Sequence, residues 1–298
     1  MDSTSRTSTQ AHSNTSGGWL NGLIGVLIFS GSLPATRIAV LELDAFFLTV
    51  VRATIAGVLA LVLLLLLRQR RPAPGQLFPL LIVAAGVVAG FPLLTALALQ
   101  HVTSAHSIVF LGLLPLSTAI FAVLRGGERP RRGFWGFSLL GSLAVVSFAV
   151  VQGVQASATG DVLMLLAIVL CGLGYAEGAK MAKNLGGWQV ICWALVLSLP
   201  VMAPLSVLLA PTSVATISLP AWLSLAYVSL FSMLIGFVFW YRGLAQGGAA
   251  AVGQLQLLQP FFGLALAAGL LHEPVSPGML GVAAVVIVCV AGAKRFAR

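Results

Sequence analysis

Ten times along the chain, an apolar run of roughly twenty residues recurs between short breaks that are polar, charged, or rich in glycine and proline. Most of these runs are long enough to cross the roughly 30 Å hydrocarbon core of a bilayer. They fall near 19–34, 45–67, 76–98, 103–124, 133–151, 162–181, 188–209, 220–242, 248–271 and 276–294. Lipid offers no hydrogen bonds, so a backbone crossing it must satisfy its own N–H and C=O groups, and an uninterrupted apolar run does that as a helix. An all-α membrane protein of ten transmembrane helices is therefore expected, with both termini on one side.

Composition closes off the alternatives. Of 298 residues, 59% are hydrophobic and 8% charged, whereas soluble domains carry about 25% charged residues. The formal charge of +9 does not point to nucleic acid, because the basic residues lie in short clusters between apolar runs and not along one polar face. They report orientation instead. With cytoplasmic termini, that side collects Arg6, Arg68, Arg70, Arg71, Arg125, Arg129, Arg131, Arg132, Lys180, Lys183, Arg242, Lys294, Arg295 and Arg298, as positively charged short loops require. Only Arg37, in the first outer loop, and Arg52, inside the second helix, stand apart. Cys171, Cys192 and Cys289 lie within apolar runs, without metal-ligand spacing, and read as small core residues. Residues 1–17 are polar, rich in Ser and Thr, and read as a disordered cytoplasmic tail.

The halves repeat. A shift of 145 residues aligns Leu114-Pro115 with Gln259-Pro260, Ala122 with Ala267, Glu128 with Glu273 and Gly136 with Gly281. This divides the membrane region into 18–151 and 152–298. Each unit holds five helices, an odd number, so the two copies enter the membrane from opposite sides. Inverted repeats of this kind build many secondary transporters, with the substrate near the midplane between them and one half rocking against the other.

On these residues the chain resembles the EamA-type members of the drug/metabolite transporter superfamily. The resemblance rests on the doubled Leu-x-Pro (Leu113 to Pro115, Leu258 to Pro260), on Gly127-Glu128 and its variant His272-Glu273, and on Gly136 and Gly281. The run from Trp240 to Ala245, its counterpart from Thr95 to Gln100, and Arg52 extend it. The likeness is strongest to bacterial exporters of aromatic and other neutral amino acids. It implies two EamA-like repeats around a central cavity lined chiefly by helices 1, 3, 4, 6, 8 and 9, in the bacterial inner membrane.

Several residues are candidates for the cavity. Pro115 and Pro260, mid-span in helices 4 and 9, each remove a hydrogen bond and free the carbonyl four residues earlier, on Leu111 and Gln256. Such sites of kinking or gating should face protein, water or substrate. Gln256 and Gln259 share a helix face. Their neutral amides either hold a zwitterion, donating to a carboxylate and accepting from an ammonium, or bond between helices. Ser32 and Tyr175 occupy nearly corresponding places in the two repeats, and Phe91, Thr95 and Phe237 would supply an apolar wall. Glu177 is a charged residue inside a span and so a coupling candidate, with Lys180 at ion-pair spacing. Arg52 lies about 9 Å inward from the start of helix 2 and is expected to snorkel outward towards Glu42 or Asp44. Trp19, Trp135, Trp188 and Trp240-Tyr241 read as interface anchors. Gly86 and Gly90 mark close helix packing or a dimer face.

The seven acidic residues form no catalytic or metal-binding cluster, and no phosphate-binding glycine loop occurs. A membrane enzyme and a channel are therefore set below a carrier, and no cofactor or metal is expected. The partners implied are a small molecule and the lipid bilayer, with a monomer sufficient. The function expected is export of neutral amino acids, aromatic or large aliphatic, by alternating access without obligatory proton coupling. Efflux of drugs or other metabolites on the same fold is the alternative.

Overall fold

The computed structural model describes residues 3–102, 107, 110–151, 157–213, 217–263 and 277–297. Ten spans follow one another. The first, α1, is Ser3–Ser30 continued by Ser32–Val40, so that helix runs through the stretch expected to be a disordered tail, and α2 is Ala45–Leu66. Span α3 joins Pro74–Val83, a π-helical stretch Ala84–Gly90 and Phe91–His101. Span α4 contains Leu114–Leu124, α5 is Arg132–Val151, α6 is Ala158–Leu185 and α7 is Gly187–Leu208. Span α8 joins Leu219–Tyr227, a second π-helical stretch Val228–Ile235 and Gly236–Gly247. Span α9 opens with Ala249–Gly253 and a 3₁₀ turn Gln254–Leu258, and α10 is Pro277–Phe296. Among the described residues, six of these, including Ser16–Val40, Pro74–His101 and Leu219–Gly247, are long and apolar enough by themselves to cross a membrane. The remaining expected stretches of helices 4 and 9, with Ala267, His272 and Glu273, lie outside the described residues.

Helix packing shows the inverted repeat directly. Span α1 packs on α8 as α6 packs on α3, while α2 meets α7, α4 meets α9 and α5 meets α10. Exchanging every helix with the one five later reproduces this pattern. The backbone irregularities obey the same operation, since the 145-residue shift carries Ala84–Gly90 into Val228–Ile235. A π-turn inside a helix widens it and often marks a functional position.

Local chemistry explains where the spans begin. The Asp44 carboxylate accepts from the Phe46 and Phe47 amides and so caps α2. The first Gly-Glu of the repeated motif has a defined task. Gly127 adopts a left-handed backbone (φ +68°), and the Glu128 carboxylate then accepts from the Ala249 and Ala250 amides at 2.7 and 3.0 Å. A carboxylate from the loop of one repeat thus satisfies the orphan amides of α9 in the other, where the helix dipole also favours negative charge. At the end away from the termini, Glu42 accepts from both the amide and the hydroxyl of Ser218 at 2.6 Å. Its carboxyl is held below the ordinary 4.5 by the Ser218 hydroxyl first and the amide second.

Close approach of α3 and α6 depends on Gly86. A Cβ there would meet the Leu170 carbonyl oxygen at 2.6 Å and the Gly174 backbone at 3.1 Å, so the Gly86 and Gly90 pair belongs, at Gly86, to packing within the bundle. Gly86→Ala should lower stability by about 1–3 kcal/mol, read as a drop in melting temperature in detergent. The Glu42 contact gives a pH signature. A depressed carboxyl stabilises the fold above its unfolded value and loses that contribution as pH falls through the folded one. The stability advantage over Glu42→Gln should therefore be present near neutral pH and disappear well below 4.5.

Candidate functional site

The backbone leaves the α-helical path where five helices converge. Span α1 breaks at Gly31, α3 and α8 widen into π-turns, α4 turns at Gly112 and Leu113 before Pro115, and α9 tightens into its 3₁₀ turn before Pro260. These breaks surround a cavity lined by Phe29, Ser32, Leu33, Thr36, Arg52, Val87, Phe91, Pro92, Thr95, Leu111, Leu114, Tyr175, Ser232, Phe237 and Gln259. Gln259 stands about 15 Å along α9 from Ala249, near half the depth of the hydrocarbon core. The cavity volume is about 40 Å³, room for a few waters. An organic solute needs the walls to part.

Of the residues expected here, Ser32, Phe91, Thr95, Leu111, Tyr175, Phe237 and Gln259 come together in this one wall. Gln256 does not line it. Its side-chain amide is buried beside the Tyr175 hydroxyl. The carbonyl of Gln256 is not free, because the 3₁₀ turn lets the Gln259 amide donate to it. The Gln259 side chain donates to the Phe29 carbonyl at 3.3 Å, tying α9 to α1. Pro115 and Pro260 are buried at the edges of these breaks.

The terminus-side floor of the cavity is aromatic. Tyr175 packs against Phe237 and Trp240 at ring separations of 5.9 and 5.3 Å, and Phe29 packs on Phe237 at 5.0 Å. Tyr241 follows, its ring 5.4 Å from that of Phe237 and its hydroxyl donating to the Gly174 carbonyl. Trp240 and Tyr241 are fully buried and so are not interface anchors. The reading from position along the helix missed that their faces turn inward. Trp19 is better placed for that role, with the Lys294 ammonium 4.5 Å from its ring centroid.

Two charged residues differ from expectation. Glu177 pairs with Arg125 at 3.0 Å, not with Lys180, and it lies outside the cavity wall. The carboxylate is 1% exposed and the Arg125 side chain 43%, so the C-terminal end of α4 supplies the cation that allows a buried anion in α6. Arg52 does not snorkel outward. It is 5% exposed and lines the cavity, where Nη2 donates to the Val228 carbonyl at 3.3 Å and to Ser232 Oγ at 3.4 Å. Ser32 in turn donates to Ser232 at 2.8 Å. Sequence distance to Glu42 suggested the outward path, yet Glu42 is engaged by Ser218 and Asp44 by its helix cap. The one signal available was that Arg52 shares a helix with no acidic residue.

At the end away from the termini, Arg37 donates to the Leu99 carbonyl and binds α1 to α3. At the terminus end the Arg125 and Glu177 pair binds α4 to α6. The latter pair makes an asymmetric prediction. Arg125→Ala leaves a buried carboxylate without its partner and should cost about 3–5 kcal/mol. Glu177→Gln leaves a guanidinium that can turn to water and should cost much less, so melting temperatures of the two variants should differ in that order.

The EamA-like transporter family matches this chain twice, over residues 16–150 and 158–293, which are the two structural repeats. YdeK of Bacillus subtilis (strain 168), described as an uncharacterized transporter, is 69% identical over 284 residues, covering 95% of this chain and 99% of that protein. An uncharacterized transporter of Archaeoglobus fulgidus is 23% identical over 240 residues, covering 80% of this chain and 83% of its own. One solved crystal structure superposes with a TM-score of 0.76 over 95% of this chain and 98% of that one, at 21% identity, a likeness of fold. Two inverted five-helix repeats, a midplane cavity and these relatives lead to one conclusion: the chain belongs to the EamA-like transporter family of the drug/metabolite transporter superfamily, and it is a multi-pass membrane transporter of small molecules and not an enzyme.

Proposed function

We propose that this transporter exports neutral amino acids, aromatic or large aliphatic, across the bacterial inner membrane by alternating access, with both termini in the cytoplasm. The observation that carries the reading is the wall of the midplane cavity. Phe91, Leu111 and Phe237 present apolar surface, while Ser32, Thr95, Tyr175 and Gln259 bring neutral donors and acceptors to the same space. That combination suits a zwitterion with an apolar side chain, since apolar walls with a few placed polar groups are how small-molecule sites combine affinity with orientation. Cytoplasmic termini are supported by the lysines and arginines gathered at that end of the bundle.

The mechanism follows from what holds each end. The aromatic floor and the Glu128 cap close the terminus side, while the Glu42 and Arg37 contacts link elements at the other. Rocking of one repeat against the other exchanges which end is sealed. The hinges are the π-turns of α3 and α8 and the proline breaks of α4 and α9, where backbone geometry can change without unmaking a full helix. Glu177, as part of an ion pair outside the cavity, is assigned to the structure of α4 and α6 and not to obligatory proton coupling.

Counterflow in proteoliposomes tests this. Vesicles preloaded with unlabelled phenylalanine or leucine should accumulate the labelled amino acid transiently, and vesicles preloaded with nothing should not. Gln259→Ala and Phe237→Ala should raise the KM for phenylalanine several-fold while the protein still purifies as a folded species. Trans-stimulation by a quaternary ammonium drug alone would replace the substrate class, and uphill flux driven by a pH gradient and lost in Glu177→Gln would reverse the assignment of Glu177.

A further inference from the structure

We propose that Arg52 anchors a carboxylate of the transported molecule, so that the site accepts monocarboxylates, zwitterionic amino acids among them, and discriminates against the corresponding amides and organic cations. This deepens the proposed function and rests on its placing the substrate in the midplane cavity.

The guanidinium is buried about 10 Å along α2 from Ala45, with 5% of the residue exposed. It carries charge under all ordinary conditions, and a charge at such depth is costly unless paired or functional. Its partners within the protein are neutral and distant: a carbonyl at 3.3 Å and a hydroxyl at 3.4 Å, both reached by Nη2. Nε is buried and has no hydrogen-bond partner among the described residues. Among the described residues, no carboxylate lines the cavity. Those nearest in sequence or function are committed elsewhere, Glu42 to Ser218, Asp44 to the start of α2, Glu128 to the start of α9 and Glu177 to Arg125. Among the described residues, the cavity wall therefore holds one positive charge and nothing negative to offset it.

A guanidinium fork matches a carboxylate with two parallel N–H to O bonds, a geometry that an ammonium cannot reproduce. The remaining polar wall, Ser32, Thr36, Thr95 and Gln259, accepts an α-ammonium without demanding one. The requirement thus falls on the acid group and not on the amine. The second repeat supplies no matching charge. Span α7, the counterpart of α2, contains no lysine or arginine between Gly187 and Leu208. Arg52 thus charges the cavity from one repeat only.

The test is exchange in proteoliposomes containing the full chain, preloaded with phenylalanine, phenylalaninamide, phenylpyruvate or a quaternary ammonium drug, against external labelled phenylalanine and labelled phenylpyruvate. Both acids should trans-stimulate, and the amide and the drug should be at least about tenfold weaker, as loss of a partner for a buried charge implies. Arg52→Lys should retain transport with a raised KM and little change in maximal rate. Arg52→Gln should lose acid exchange while keeping its elution profile and melting temperature. If that variant does not fold, the acid-against-amide comparison on the unmodified protein decides the matter. Equal exchange of amide and acid, or an unchanged KM in Arg52→Gln, overturns the anchor and leaves amino-acid transport standing. Arg52-dependent exchange of phenylpyruvate without phenylalanine keeps the anchor and removes the amino-acid reading. Failure of both acids to exchange overturns the anchor.

Discussion

Satisfaction of backbone hydrogen bonds in a medium without water is the constraint on which the rest of this molecule depends. It makes every crossing a helix, and it also decides where a helix is allowed to fail. Among the described residues, the departures from α-helix within the spans gather around one cavity: the break at Gly31, the π-turns Ala84–Gly90 and Val228–Ile235, the turn before Pro115 and the 3₁₀ turn before Pro260. Amides and carbonyls released at these points meet polar partners. The Val228 carbonyl, at the start of one π-turn, accepts from Arg52, and the Gln256 carbonyl is recovered by a tighter turn. The same irregularities that relieve the backbone also create the inner space.

Inversion of the repeat turns local devices into links between halves. Glu128, in the loop between α4 and α5, caps a helix of the second repeat. Glu42, in the loop between α1 and α2, binds Ser218 before α8. Each contact crosses from one five-helix unit to the other at one end of the bundle, so each acts on the relative position of the halves as well as on stability. The Arg125 and Glu177 pair also crosses between the units at the terminus end, whereas the Tyr241 to Gly174 bond lies within the second unit and ties α8 to α6 beside the aromatic floor. Carriers of this organisation need ends that close alternately, and contacts made of one or two hydrogen bonds are weak enough to break during a cycle.

Symmetry also isolates what belongs to function. The doubled prolines, the paired π-turns and the exchanged packing of α1 with α8 and α6 with α3 are common to both halves and serve the architecture. Arg52, Ser232 and Tyr175 stand in a cavity where the halves are not alike in charge. Specificity is carried by such differences, because a site related to itself by a twofold operation would present the same chemistry from both sides of an asymmetric solute.

Hydropathy, loop charge and the repeat were legible from the amino-acid sequence because each reports a long-range physical requirement: the thickness of the bilayer, the retention of positive loops and the odd number of helices per unit. Those requirements settle span number and inversion without reference to any contact. Gln259 and, through Pro115, Leu111 were legible for a related reason, since prolines and glutamines at mid-span must face something other than lipid, while Ser32 and Tyr175 were named from their places in the repeat and Phe91, Thr95 and Phe237 for the wall a solute needs. What the tertiary structure alone decided is direction and partnership. Arg52 turns inward because Val228 and Ser232 offer acceptors there while Glu42 is held by Ser218, Glu177 takes Arg125 from another helix over Lys180 on its own, and Trp240 and Tyr241 vanish into an aromatic floor. Each outcome depends on which group a neighbouring helix places within about 3 Å, and residues as far apart as Arg52 and Ser232 become neighbours only when the two repeats have packed.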